Sequence, residues 1–245
     1  MRRLVRYTLS PDCPSTASDH NPDVKHGELK SMPENARLLP SCSPTKIVCV
    51  GRNYVDHAKE LGNPVPAEPL IFLKPVSSLI GHGESIVYPA ISQNVNFEGE
   101  LGLIIGKRAR HIARENAFDY IAGYTCLNDV TARDIQRKDV QFTRGKGFDT
   151  FCAVGPHMAP AADVDLSKLR VITRLDGEVK QDGPVTDMIF SVDAIIAFVT
   201  ACMTLEPGDL IATGTPAGVG PMLPGQTVEV EIPGIGILRN PVVQG

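Results

Sequence analysis

The 245-residue chain contains no tryptophan, and aromatic residues make up only 5% of it. A surface that binds single-stranded nucleic acid by stacking bases on rings is therefore not expected. Nor is there a block of basic residues. The cations are scattered and the formal net charge is −4, so the electrostatic footprint of a nucleic-acid binder is missing. Apolar runs such as residues 194–199 fall far short of the roughly 20 residues that a bilayer-crossing helix needs. Residues 1–7 are basic but lead into Thr, Ser, Pro and Asp, so no signal peptide is expected. The six cysteines, Cys13, Cys42, Cys49, Cys126, Cys152 and Cys202, include no C-x-x-C pair. That argues against a zinc ribbon and a disulfide framework and makes a reducing cytoplasm the expected compartment.

Two familiar catalytic signatures are also lacking. Ser77 and Ser78 do not lie in a G-x-S-x-G elbow, which argues against a serine hydrolase. The glycine-rich stretch 213–221 follows an expected strand but lacks the Lys-Ser/Thr ending of a phosphate loop. Pro221 and Pro224 also block the helix that would hold a phosphate. It reads as a tight loop presenting backbone amides, and the Thr215 hydroxyl, to a small acid.

What is present is a strand-rich pattern. Residues 1–45, rich in Pro, Ser, Asp and Asn, read as a small N-terminal subdomain or arm, and 46–245 as the main domain. Strands are expected at 47–50, 70–73, 85–88, 123–127, 210–213, 228–232 and 236–239. Residues 170–181 read as a hairpin turning at Asp176-Gly177. Helices are expected at 53–61 with Asn53 as N-cap, at 115–121, and at 191–205. The last has Ser191 as N-cap, an apolar face of Ala194, Ile195, Phe198 and Cys202, and a stop at Pro207-Gly208. Strands and helices do not alternate regularly, so the class is α+β and strand-dominated, not a doubly wound parallel sheet.

The segment 94–105 carries Val95, Phe97, Leu101, Leu103 and Ile105 at a strand's period. If these odd positions face the core, Glu98 and Glu100 leave the other face together, Cα atoms roughly 6.5–7 Å apart. They could converge on one cation or simply sit on a wet strand face. Asp129, at the end of an apolar strand, is a third acid or else a turn residue. Three carboxylates suit a hard dication, Mg²⁺, Mn²⁺ or Ca²⁺, in preference to Zn²⁺. His57 and Glu60, at i and i+3, share a helix face, where a carboxylate can orient an imidazole for activating water. Lys146 sits between glycines in a loop, with an ammonium suited to an enolate or carboxylate. Arg133 and Gln136, again i and i+3, point together if helical, and the guanidinium forms a fork for a substrate carboxylate.

Gly51-Arg52-Asn53-Tyr54 with Asp56-His57, Phe72-Leu73-Lys74-Pro75, Glu98-Gly99-Glu100-Leu101, Gly123-Tyr124 through Asp129, Thr131-Ala132-Arg133-Asp134, Lys146-Gly147-Phe148-Asp149 and the 214–220 loop together resemble the fumarylacetoacetate hydrolase family. The likeness runs from about residue 46 to the C-terminus. It implies a mixed β-sandwich or β-roll with few helices, commonly a homodimer. It also implies a divalent metal, commonly Mg²⁺, on Glu98, Glu100 and Asp129. His57 and Glu60 would form a catalytic pair on a lid, Lys146 would stabilise an enolate, and Arg133, Gln136 and Thr215 would contact substrate. Activities in the family are hydrolysis of acylpyruvates, decarboxylation of oxaloacetate-like acids, and tautomerisation either of oxaloacetate or of 2-hydroxydienoates such as 2-hydroxyhepta-2,4-diene-1,7-dioate to 2-oxo acids. A non-catalytic small-acid binding protein is the alternative of another class, and it has no use for a water-activating pair.

Overall fold

The computed structural model describes residues 2–245. Its strands and helices run β1 (Leu4–Thr8), β2 (Lys25–Glu28), β3 (Arg37–Leu38), β4 (Ile47–Gly51), α1 (Val55–Glu60), β5 (Leu70–Lys74), β6 (Leu79–Ile80), β7 (Ile86–Tyr88), β8 (Val95–Phe97) and β9 (Gly99–Ile105). They continue with β10 (Ile121–Asp129), β11 (Thr131–Ala132), α2 (Arg133–Asp139), α3 (Phe142–Lys146), β12 (Cys152–Pro160), β13 (Arg170–Leu175), β14 (Glu178–Pro184) and α4 (Val192–Cys202). The last are β15 (Leu210–Ala212), β16 (Gly220–Pro221), β17 (Thr227–Ile232) and β18 (Gly236–Gln244).

A ten-stranded mixed sheet in the order β2-β1-β12-β10-β9-β15-β4-β5, with β3 beside β1 and β6 beside β12, packs on a five-stranded sheet ordered β14-β13-β17-β18-β7. A small sheet, β11-β8-β16, completes a mixed β-sandwich with few helices, the strand-dominated α+β class read from the sequence. The main core lies between the two larger sheets and takes Leu101, Leu103 and Ile105 from β9 together with Val171, Val230 and Leu238. Ile104 faces a second apolar cluster with Cys49, Leu127, Cys152 and Leu210. Both faces of β9 are therefore buried. The odd positions do point into the main core, but the opposite face is no wet surface.

The segment 94–105 is not one strand either. β8 belongs to the small sheet and β9 to the large one, and the chain passes between them at Glu98. There the Glu98 N–H donates to Asn128 Oδ1 at 2.9 Å and its carbonyl accepts from the Asp129 N–H at 2.9 Å. Gly99 makes the crossing possible, because a Cβ on it would lie 2.0 Å from Thr173 Oγ1.

Other expectations shift in their details. The hairpin turns at Asp176 and Gly177, both at positive φ, as a two-residue turn matched to strand twist requires. The expected 115–121 helix is a 3₁₀ segment, Arg114–Tyr120. Asn53 is not the cap of α1. Tyr54 holds that position, while the buried Asn53 side chain donates to Phe190 O and Thr213 O and accepts from the Phe190 N–H. Ser191 does hold the N-cap position of α4, but its hydroxyl accepts from Arg114 and makes no capping hydrogen bond. The buried face of α4 is Val192, Ile195, Ile196 and Val199, and Cys202 is exposed. β1 to β3 add to the large sheet through the antiparallel pairing of β1 with β12.

Gly99→Ala should lower stability by about 1–3 kcal/mol, the cost of overpacking a filled core. Urea unfolding would measure it, and an unchanged midpoint would mean that the crossing has room to spare.

Candidate active site

Antiparallel pairing of β9 with β10 sets Glu100 opposite Leu127, and Asp129 lies two residues further on the same face of β10. The register thus brings Glu100 and Asp129 out on one side of the large sheet, with Glu98 at the crossing beside them. All three are buried, and one carboxylate oxygen from each lies within 4.8 Å of the others.

The cluster is held by cations. Lys146 Nζ donates to Glu98 Oε2 and Asp129 Oδ2, each at 2.6 Å. Lys74, fully buried at the end of β5, donates to Asp129 Oδ1 at 2.6 Å and to Val130 O at 3.1 Å. Arg133 pairs with Glu98 through Nη2 and donates from Nη1 to Gln136 Oε1 at 2.7 Å. Glu100 instead accepts from the Gly214 N–H at 2.7 Å.

These partners divide the acids electrostatically. Burial pushes the Glu98 carboxyl up, but Lys146, Arg133 and His57 outweigh it and hold Glu98 well below the usual carboxylate range. Glu100 goes the other way, raised first by burial and then by repulsion from Asp129 and Glu98, with Lys146 and the Gly214 N–H only partly relieving it. Burial disfavours the Lys146 ammonium, yet Asp129 and Glu98 raise its pKa.

Lys146 is not on a solvated loop. It closes α3, is buried, and lies 5.2 Å from the centroid of Phe72, which packs edge-on against Phe142. Its glycine neighbours serve packing. A Cβ on Gly145 would meet Gln136 Cα at 2.8 Å, so Gly145 lets α3 lie against α2. Arg133 and Gln136 share one side of α2, as their spacing implies.

His57 is buried on α1, with Nδ1 3.2 Å from Glu60 Oε2. Glu60 also accepts from the Gly218 N–H at 3.1 Å, tying α1 to the glycine-rich loop. That loop's amides at 214 and 218 go to protein carboxylates. Thr215 Oγ1 donates to Gly99 O at 2.7 Å and accepts from Gln181 Nε2 at 2.7 Å. The groups that the loop was expected to offer to a small acid thus have protein partners in this structure.

His57, Glu98, Glu100, Asp129, Arg133, Gln136, Lys146 and Thr215 all line one cavity of about 530 Å³. Three residues were given no site role in the sequence. Lys74 carried a signal, a lone cation at the end of an apolar strand. Gln181, whose Oε1 accepts from the Gly99 N–H at 3.0 Å, and Asn128 carried none.

Three crowded carboxylate oxygens are a donor set for a hard divalent cation, and the repulsion felt by Glu100 is what such a cation would relieve. Because its raised pKa keeps a proton on Glu100 above the ordinary carboxylate range, metal binding should expel that proton. Affinity for Mg²⁺ or Mn²⁺ should then rise with pH and level off once Glu100 is ionised. Calorimetric metal titration in two buffers of different ionisation enthalpy should show about one proton released. No buffer dependence would mean that Glu100 is already anionic. Lys74→Met, which strips Asp129 of a buried counter-ion, should cost about 3–5 kcal/mol in chemical denaturation.

Residues 46–243 match the family model described as fumarylacetoacetate (FAA) hydrolase C-terminal. The mitochondrial oxaloacetate decarboxylase of Dictyostelium discoideum is 46% identical over 195 residues, 78% of this chain and 89% of that protein. A human mitochondrial oxaloacetate tautomerase is 44% identical over 216 residues, 84% of this chain and 69% of that one. Among solved structures, 2-hydroxyhepta-2,4-diene-1,7-dioate isomerase from Mycobacterium marinum superposes with a TM-score of 0.85 at 40% identity, covering 100% of this chain and 99% of that one. With its sheets, its buried acid cluster and these relatives in agreement, the chain belongs to the fumarylacetoacetate hydrolase family.

Proposed function

We propose that this protein is a divalent-metal-dependent enzyme acting on 2-oxo (1,3-dicarbonyl) acids through an enolate, with decarboxylation of oxaloacetate-type acids and hydrolysis of acylpyruvates as its outcomes. The observation that carries this reading is the buried Glu98, Glu100 and Asp129 cluster, bridged by Lys146, on the wall of a cavity that is also lined by His57, whose ring Glu60 contacts from outside the lining. When bound by the three carboxylates, a divalent cation such as Mg²⁺ or Mn²⁺ supplies Lewis acidity toward the 2-oxo and carboxylate oxygens of the substrate.

The chain's own groups do the rest. Lys146, kept charged by its neighbours, stabilises negative charge developing on the enolate oxygen. Arg133, with Gln136 fixing its guanidinium, holds the substrate carboxylate. In decarboxylation the bond to the departing carboxylate breaks, its electron pair forms the enolate, and a proton later returns to that carbon. In hydrolysis His57, its ring held by Glu60, takes a proton from water attacking the distal carbonyl; the C–C bond to the 2-oxo acid fragment then breaks, its electron pair forms the enolate, and a proton returns to that carbon. Isomerisation of 2-hydroxydienedioates is the second reading, favoured by the likeness to the Mycobacterium marinum isomerase.

A homodimer is part of the proposal. Strand β5 forms an edge of the large sheet and leaves Leu70 39% and Leu73 47% exposed, with Val140 nearby at 79%. Apolar edges of this kind call for a cover. Among the described residues no helix is long and apolar enough to cross a membrane.

Exhaustive chelation with EDTA should abolish turnover of oxaloacetate and acetylpyruvate, and Mg²⁺ or Mn²⁺ should restore it. Full activity after chelation would sink the assignment. His57→Ala should slow acetylpyruvate cleavage by roughly a hundredfold or more with metal affinity intact, and should affect oxaloacetate decarboxylation less. Cleavage at the parent rate would remove His57 from the mechanism.

A further inference from the structure

Arg52 lies in the Gly51-Arg52-Asn53-Tyr54 motif and has no part in the chemistry assigned above. It follows β4 and lines the same cavity as the carboxylate cluster. Its backbone is left-handed, with φ 58°. A residue with a side chain occupies that region at a cost, and persists there when its surroundings fix it. The surroundings here are firm. The next residue, Asn53, is fully buried and tied to Phe190 and Thr213 through its side chain and to the Ile189 N–H through its carbonyl.

What distinguishes Arg52 is that it has no partner. Arg133 and Lys146, the other inner cations of the cavity, are paired with Glu98 and Asp129. Among the described residues Arg52 makes no ion pair and its Nε is buried without a hydrogen-bond acceptor; the Nε of Arg133 is orphaned too, but that guanidinium is held through its Nη atoms by Glu98 and Gln136. Arg137, one residue beyond Gln136 on α2, lines the cavity as well and is exposed and unpaired among the described residues. The cavity thus holds two guanidiniums beyond those its carboxylates neutralise. A half-buried arginine whose Nε–H is buried and free presents the planar fork that a carboxylate accepts through two parallel bonds.

We propose that Arg52, assisted electrostatically by Arg137, is the receptor for a second carboxylate, and that the site selects dicarboxylic 2-oxo acids over monocarboxylic ones. This rests on the reading above, in which the first carboxylate and the 2-oxo group occupy the Glu98, Glu100 and Asp129 end. The named relatives agree in kind, since oxaloacetate and 2-hydroxyhepta-2,4-diene-1,7-dioate both carry two carboxylates.

The test is calorimetric binding to the full-length, Mg²⁺-loaded protein. The probes are 2-oxoglutarate, its five-carbon monoacid counterpart 2-oxopentanoate, and oxalate, which can engage only the acid-cluster end. The protein should prefer 2-oxoglutarate to 2-oxopentanoate by at least about tenfold, the worth of a charged hydrogen-bonded contact. Arg52→Gly removes the guanidinium while relieving the left-handed backbone, so it should fold at least as well as the parent. It should lose most of that preference and bind oxalate and 2-oxopentanoate unchanged, while Arg52→Lys keeps part of it. Arg137→Ala should lose less, and its loss should shrink as salt is added. Equal binding of diacid and monoacid by the parent protein, or an equal loss of both in Arg52→Gly, overturns the proposal. Failure of oxalate and both 2-oxo acids to bind the parent at all overturns instead the functional reading beneath it.

Discussion

Three carboxylates and three cations share a nearly dry space between the large sheet and the α2–α3 pair. Charges removed from water are costly unless each meets a partner of opposite sign at close range. Here Lys146 serves two acids at once, Lys74 fixes the outer oxygen of Asp129, and Arg133 closes on Glu98. Each comes from a different element: α3, β5 and α2. The cluster therefore dictates where those elements sit, and a shift in any of them would leave a buried charge exposed to its neighbours' repulsion.

A set of neutral hydrogen bonds keeps that electrostatic centre in register with the rest of the molecule. Gln181 reaches from β14 to the Gly99 N–H, the Thr215 hydroxyl and Pro216 O, so the five-stranded sheet clasps both the crossing and the glycine-rich loop. Asn53 does the same between the start of α1, the segment before α4 and the end of β15. Gly214, at φ 99° and with no room for a Cβ beside Asn53, turns the loop so that its N–H meets Glu100. The geometry offered to a ligand is thus set largely by residues that never face the cavity.

The sequence made some of this legible and hid the rest for physical reasons. Alternation placed Leu101, Leu103 and Ile105 in the core, and the paired positive-φ residues of the hairpin were plain from Asp176-Gly177. Periodicity could not tell that β8 and β9 belong to different sheets, because the alternation of side chains continues across Glu98 while the hydrogen-bonding partner changes. It also suggested a water-facing side for Glu98 and Glu100, since polar residues on alternate positions look alike whether they meet solvent or buried counter-ions. Asn53 read as a helix cap because caps and long-range cross-links use the same amide chemistry. The apolar face of α4 was displaced toward Val192, Ile196 and Val199 because its neighbours, the 3₁₀ segment Arg114–Tyr120 among them, and not the helix alone, decide which apolar residues are covered. Lys74 could be suspected from its place at the end of an apolar strand, but its partner, 55 residues away, could not.

Glu60 touches both His57 and the Gly218 N–H. A single carboxylate thus couples the orientation of an imidazole to the seating of the short helix that carries it. If α1 swings away from the glycine-rich loop, the carboxylate loses its backbone donor, and the ring leaves the cavity wall in the same motion. The ring's orientation and the helix's seat on the loop are consequently interlocked, because both hang on the two contacts of one carboxylate.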